Sequence, residues 1–334
     1  MKTLKAQSIL IALALAVAAT ITGCEDQIFE PEEPGLLVPR TVDQDGSLPQ
    51  IAVNGTNLHA ETYGNAADPM MVVLHGGPGG DYRSMLNCKA FANLGYFVIF
   101  YDQRGSGLSR RHPKKIYSMD LMIEDLSAVI QHYRQSADQE IFLLGHSWGA
   151  MLATAYIDRY PSAIAGAILS EPGGFNWNDT KDYILRTRNG NLLSEDLNDV
   201  FYYDQIITGK EDEHEILDYK FALMTAHDHA AGNAIGNAGP TPFWRSGAIV
   251  QKSLFETADK EGFDFTKNLN QFTKPVLFLY SELNTAYGLS HAQNVSSAYP
   301  NVQLTLINGT GHDIPYFGWN SYYSVALDYL NHIK

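Results

Sequence analysis

The stretch IFLLGHSWGAMLATAYIDRY, residues 141–160, decides the fold. It opens on a continuous apolar run, as expected of a strand buried on both faces. Its last ten residues, rich in alanine, carry a helical pattern. Between the two lies GHSWG, a G-x-S-x-G sequence at a strand-to-helix junction. Gly145 and Gly149 permit a turn that side chains would obstruct. That turn lifts Ser147 out at the carboxyl edge of the sheet, where a hydroxyl can serve as a nucleophile. Trp148 offers its backbone N–H to an oxyanion, aided by the N-terminus of the following helix.

Working outward, strands and helices alternate on both sides of this junction. QIAVNGTNLHAETYG (50–64) reads as two strands joined at Asn54-Gly55. MMVVLH (70–75) and YFVIFYD (96–102) are buried strands. Met122, Leu126, Val129, Ile130 and Tyr133 recur at helical spacing, and AGAILSEP (165–172) is the next strand. The alternation breaks over 175–270, which is polar, aromatic and helical in pattern. It resumes with PVLFLYS (275–281), a helix near 288–299, VQLTLI (302–307) and an aromatic C-terminal helix. This implies an α/β fold with a mostly parallel sheet, helices on both faces and right-handed crossovers. The insertion sits over the sheet's carboxyl edge, where sites form. The expected division is a core of 47–174 and 271–334, with a helical cap over 175–270.

HGGPGG (75–80) follows the MMVVL strand, and its glycines let the backbone approach a ligand and turn N–H groups toward it. Gly77 is the expected second oxyanion donor. Together, HGGPGG, DQRGSGLS (102–109) and GHSWGA (145–150) resemble, in order and spacing, the proline iminopeptidase branch of the α/β-hydrolase fold. The resemblance covers about 50–172 well and 275–334 more loosely. It implies acyl transfer through a serine acyl-enzyme, acting on small amides or esters and first of all on a peptide N-terminus. His75, Asp102, Arg104 and His146 are expected to shape loops.

The general base is expected after the last strand, where TGH ends in His312. His291 is a rival by proximity only, and is expected on a helix surface. The acid raises a question. The family carries an Asp in the loop after the strand that resembles PVLFLYS, and here that residue is Asn284. Two carboxylates can substitute. Glu282 lies in the same loop, and Glu171 lies just beyond the AGAILS strand. Either keeps the order serine, acid, histidine. Glu171 is preferred, because a charge at the end of a buried strand needs a partner. FWRSG (243–247) falls where the aminopeptidases carry a Trp-Glu pair for the substrate's N-terminus, but here Arg245 follows Trp244. An ammonium would need another carboxylate, and the run EDEHE (211–215) is the nearest in sequence.

The 334 residues carry a formal net charge of −14, which argues against nucleic acid or an anionic membrane surface as a partner. The EDEHE run, with its one histidine, also suggests a metal, but its spacing fits no usual site, and no cofactor is implied. MKTLK, an apolar run and ITGC (21–24) resemble a bacterial lipoprotein signal ending at a lipidated Cys24. The expected location is therefore the bacterial cell envelope, with membrane contact through the lipid alone. Residues 25–46, rich in Glu, Asp and Pro, read as a flexible tether. Cys88, the only other cysteine, reads as a small buried hydrophobe. Three readings of function remain: an aminopeptidase, an esterase or lactonase of the same fold, and a lipid-anchored binding protein with a degenerate hydrolase site.

Overall fold

Asn54 (φ 45°) and Gly55 (φ 73°) both take the left-handed region that a tight two-residue hairpin requires. They join β1 (Gln50–Val53) to β2 (Thr56–Tyr63), the start of an eight-stranded sheet among the described residues. The structure, a computed structural model, describes residues 36–187, 213–228 and 234–333. Cys24 and the signal segment, Glu211 and Asp212 lie outside them.

Strands β3 (Met70–Leu74), β4 (Phe97–Tyr101), β5 (Ile141–His146) and β6 (Gly166–Ser170) are buried along their whole length. β7 (Val276–Ser281) and β8 (Val302–Ile307) complete the sheet in the order β1-β2-β4-β3-β5-β6-β7-β8. β2 runs antiparallel to β1 and β4, and all other neighbours are parallel. Alternate residues of β3 feed opposite sides: Met70, Val72 and Leu74 pack in one core, Met71 and Val73 in the other. This explains why the strands read as unbroken apolar runs.

Helices α1 (Met119–Tyr133) and α2 (Trp148–Arg159) cover the first core. Ser118 caps α1 by accepting from Leu121 N at 3.1 Å. The second core lies under a 3₁₀ segment, Tyr82–Leu94, and the C-terminal helix. Cys88 is fully buried there, and burial pushes its thiol pKa far up, as expected of a core residue rather than a reactive thiol.

Between β6 and β7 the chain leaves and returns through one neck. Trp177 N donates to Phe263 O at 3.0 Å and Phe265 N to Phe175 O at 2.8 Å. Beyond the neck stand α3 (Trp177–Thr187), α4 (Glu213–Asp228) and α5 (Ala248–Glu261). α6 (Gly288–Ser296) and α7 (Trp319–His332) follow β7 and β8.

Residues 37–46, expected as the end of the tether, are instead packed onto the domain. Val38, Thr41 and Val42 are buried, and Val42 N donates to Leu108 O at 2.8 Å. Arg245 Nη1 reaches back to Pro39 O at 2.9 Å. Composition hid this, because backbone groups and two valines hold the segment rather than an apolar period.

Candidate active site

Ser147 joins β5 to α2 with φ 52° and ψ −121°, a strained conformation for a residue with a side chain. Its N–H is tied to Ser170 O at 2.8 Å. A Cβ on Gly149 would lie 2.0 Å from Leu74 O, so only glycine lets the elbow press this close to β3. The HGGPGG loop closes from the other side. A Cβ on Gly76 would stand 3.2 Å from Ser147 Cβ. Gly77 and Trp148, the expected oxyanion donors, line one cavity together with Ser147.

His312 follows β8, and its Nδ1 lies 2.8 Å from Glu171 Oε2. Glu171 is fully buried just past β6, with φ 44°. Its carboxylate is saturated. Oε1 accepts from Ser281 N at 2.7 Å and from Ser281 Oγ at 2.6 Å, and Oε2 accepts from Asn284 Nδ2 at 2.8 Å. These donors come from the end of β7 and the loop after it. Burial by itself lowers the His312 pKa. The hydrogen bond and charge of Glu171, with the charge of Asp313, outweigh it, and the net shift is upward.

Glu282 does not join this cluster. It is exposed, and its Oε2 accepts from Gly309 N at 2.8 Å, capping the turn after β8. The turn beyond β7 carries Glu282 toward Gly309 while Asn284 faces Glu171. His291 is also not where it was expected. It is buried, accepts from Arg186 Nη2 at 2.9 Å, and so presents its Nε2–H to Gly173 O at 2.8 Å. His75 and Asp102 anchor loops. Gln103 N donates to His75 Nε2 at 2.9 Å, and Asp102 accepts from Tyr82 N, Leu108 N and His59. Arg104 forks onto Asp125 at 2.6 and 2.7 Å. Arg245 is buried against Asp218 at 2.7 Å. Of the 211–215 run, Glu215 accepts from Leu37 N at 3.2 Å.

Asp313, Tyr183 and Asp81 had no sequence signal. Asp313 Oδ1 lies 3.0 Å from Nε2 of His146, whose ring is 4.8 Å from that of His312. Burial keeps His146 neutral by lowering its pKa. Tyr183, from α3, places its hydroxyl beside both Asn284 and His312. Asp81 accepts from Arg83 N at 2.9 Å and Arg245 N at 3.1 Å, tying the HGGPGG loop to the 243–247 loop. Burial, reinforced by the charge of Asp102, raises its pKa to about 7.

Two cavities flank Ser147. One, of about 70 Å³, is walled by apolar groups including Trp148, Trp177, Leu254, Phe255 and Phe263, with no carboxylate among its described walls. The other, of about 260 Å³, has Asp81 and Asp313 on its walls beside His312. No cluster of three metal-ligating side chains occurs among the described residues, and no helix there is long and apolar enough to cross a membrane.

The family model for the alpha/beta hydrolase fold matches residues 69–318, more than half of the chain, which therefore belongs to that family. A proline iminopeptidase of Thermoplasma volcanium is 36% identical over 100 residues, 30% of this chain and 33% of that protein. The chain thus spans about a third of the length of the first such relatives it matches. A proline iminopeptidase of Clostridium botulinum is 28% identical over 77% of this chain and 88% of its own. Among solved structures, the proline iminopeptidase of Mycobacterium smegmatis shares the fold with a TM-score of 0.57 at 18% identity, covering 85% of this chain and 97% of its own.

Proposed function

We propose that this α/β-hydrolase is a serine hydrolase that cleaves small amides or esters through a Ser147 acyl-enzyme. The observation that carries the reading is the 2.8 Å pair of Glu171 and His312 beside a strained serine elbow. In this reading His312 Nε2 takes the Ser147 proton as the oxygen attacks the carbonyl. Glu171 holds Nδ1–H and stabilises the imidazolium, and the N–H groups of Gly77 and Trp148 receive the oxyanion. His312 then returns the proton to the leaving group, and water repeats the cycle on the acyl-enzyme.

Proline iminopeptidase relatives support an aminopeptidase, cleaving amides that follow a free N-terminus. The cavity bearing Asp81 and Asp313 supplies carboxyl groups near the nucleophile for such an ammonium. A second reading, esterase or lactonase, is favoured by the apolar cavity, whose described walls suit a neutral acyl group. The test pairs fluorophosphonate labelling with turnover of a prolyl-amide chromogen, its N-acetylated form and a p-nitrophenyl ester. Labelling lost in Ser147→Ala, with the free amine cleaved best, supports the aminopeptidase. Equal or better cleavage of the blocked amide or ester assigns an esterase. Absence of labelling in the wild type leaves the degenerate binding protein. Cys24 is proposed as the lipid anchor on the ITGC motif, and a Cys24→Ala protein that stays with membranes would reject this.

A further inference from the structure

Tyr183 belongs to two places at once. Its ring is part of the wall of the apolar cavity beside Ser147. Its hydroxyl oxygen lies 3.0 Å from Asn284 Nδ2 and 3.3 Å from His312 Nδ1. Asn284 divides its amide protons, one to Glu171 Oε2 and one to Tyr183 Oη, while its own oxygen accepts from Tyr287 N at 3.2 Å. The amide is thereby saturated, and the phenol oxygen is the acceptor that completes it. The Nδ1–H of His312, aimed at Glu171, passes beside the same oxygen.

The ring has little lateral freedom. It stacks on His291 at 5.6 Å and 24°, and meets Tyr287 edge-on at 5.1 Å. His291 is itself pinned between Arg186 and Gly173 O. A group entering the cavity therefore packs against a ring whose far end touches the histidine's hydrogen-bond network. We propose that Tyr183 is a specificity-determining positioning residue, through which the fit of an apolar acyl group sets the alignment of His312. A well-fitting acyl group holds the ring, and with it the hydroxyl, against Asn284 and His312. A small one leaves that end free to shift. Acyl binding then appears in kcat rather than only in KM, because the contact is completed when the base must be aligned.

This inference rests on the Ser147 acyl-enzyme reading, and its test separates the two. p-Nitrophenyl acetate, butyrate, hexanoate and phenylacetate are compared on wild type, Tyr183→Phe and Ile184→Ala. Ile184 lines the same cavity and serves as the control. Wild-type kcat should rise with acyl size until the cavity is filled. Tyr183→Phe keeps the ring and removes the oxygen. It should lower kcat for the best acyl group about 3- to 10-fold, flatten the kcat trend, and move the acid limb of kcat/KM to lower pH. Ile184→Ala enlarges the cavity but keeps the Tyr183 hydroxyl, so it should change KM and shift the rise of kcat toward larger acyl groups without flattening it. A Tyr183→Phe enzyme with the wild-type trend and pH profile overturns the coupling while labelling of Ser147 stands. A wild type that takes no fluorophosphonate label overturns both.

Discussion

Glu171→Gln tests the relocated acid most directly. The carboxylate receives four donors, two on each oxygen. A glutamine side chain has one acceptor oxygen. Ser281 N is a fixed backbone donor, so that oxygen must face Ser281. The new NH₂ then confronts Asn284 Nδ2, donor against donor, and His312 Nδ1, which must accept instead of donate. The histidine proton is driven to Nε2, the nitrogen that in the proposed mechanism receives the proton of Ser147. A triad acid turned to its amide in this way lowers kcat by about 10⁴, a barrier increase of about 5 kcal/mol. Glu282→Gln should stay within about twofold of wild type, because only an exposed turn loses a contact. The assay is kcat on a p-nitrophenyl ester together with the rate of fluorophosphonate labelling, with circular dichroism to check folding. A folded Glu171→Gln enzyme within tenfold of wild type would refute the assignment, and so would Glu282→Gln proving the more damaging.

Three further outcomes follow from the same contacts. Asn284→Asp sets a second carboxyl against Glu171, so one of the two must hold a proton in the fold; the protein should lose about 3 kcal/mol at pH 8 and recover part of it toward pH 5, measured by urea unfolding. The acid limb of kcat/KM should lie above histidine's ordinary 6.5, since Glu171 and Asp313 raise the His312 pKa against burial, and Asp313→Asn should move that limb down; a limb that stays put removes Asp313 from the argument. Asp81 passes from 3.8 in the unfolded chain to about 7 in the fold. The fold therefore keeps a proton that the unfolded chain gives up, and stability falls as pH rises between those values. Asp81→Asn should erase that contribution, about 3 kcal/mol over this window, from the difference between pH 5 and pH 8 unfolding.

The sheet was legible because a strand buried on both faces has to be apolar at every position. MMVVL, FVIFY, IFLL and VLFLY show this without any context. The elbow was legible because part of its steric demand is local: a Cβ on Gly145 would lie 2.5 Å from Gly149 O within the turn itself. What the sequence could not give was contact across the crevice. Tyr183, Asp313 and Asp81 are ordinary residues in ordinary loops and helices until α3 and the 243–247 loop fold over the sheet. His291 was misplaced for the same reason, since a helix position reads as surface until the 171–187 segment covers it. The docked 37–46 segment is held largely through its own backbone groups, bonded to Leu108 O, Arg245 and Glu215, which leaves no pattern in composition.

The position of Glu171 explains both its length and the asparagine at 284. Neighbouring strands lie about 4.8 Å apart, so an acid after β6 stands roughly 10 Å, two spacings, from a histidine after β8. An acid after β7 stands one spacing away, where an aspartate suffices. From β6 the side chain needs an extra methylene and a backbone that turns it along the sheet edge, and Glu171 has both, with φ 44°. It must also pass the end of β7. Ser281 and Asn284 stand there, and each aims donors at the carboxylate. An aspartate at 284 would instead place two charges in a fully buried pocket. The glutamate at 171 and the asparagine at 284 are thus one linked arrangement. A site that had lost its acid would have no need for three donors directed at a buried carboxylate bonded to His312. Asn284 therefore argues for a relocated acid and against a degenerate site.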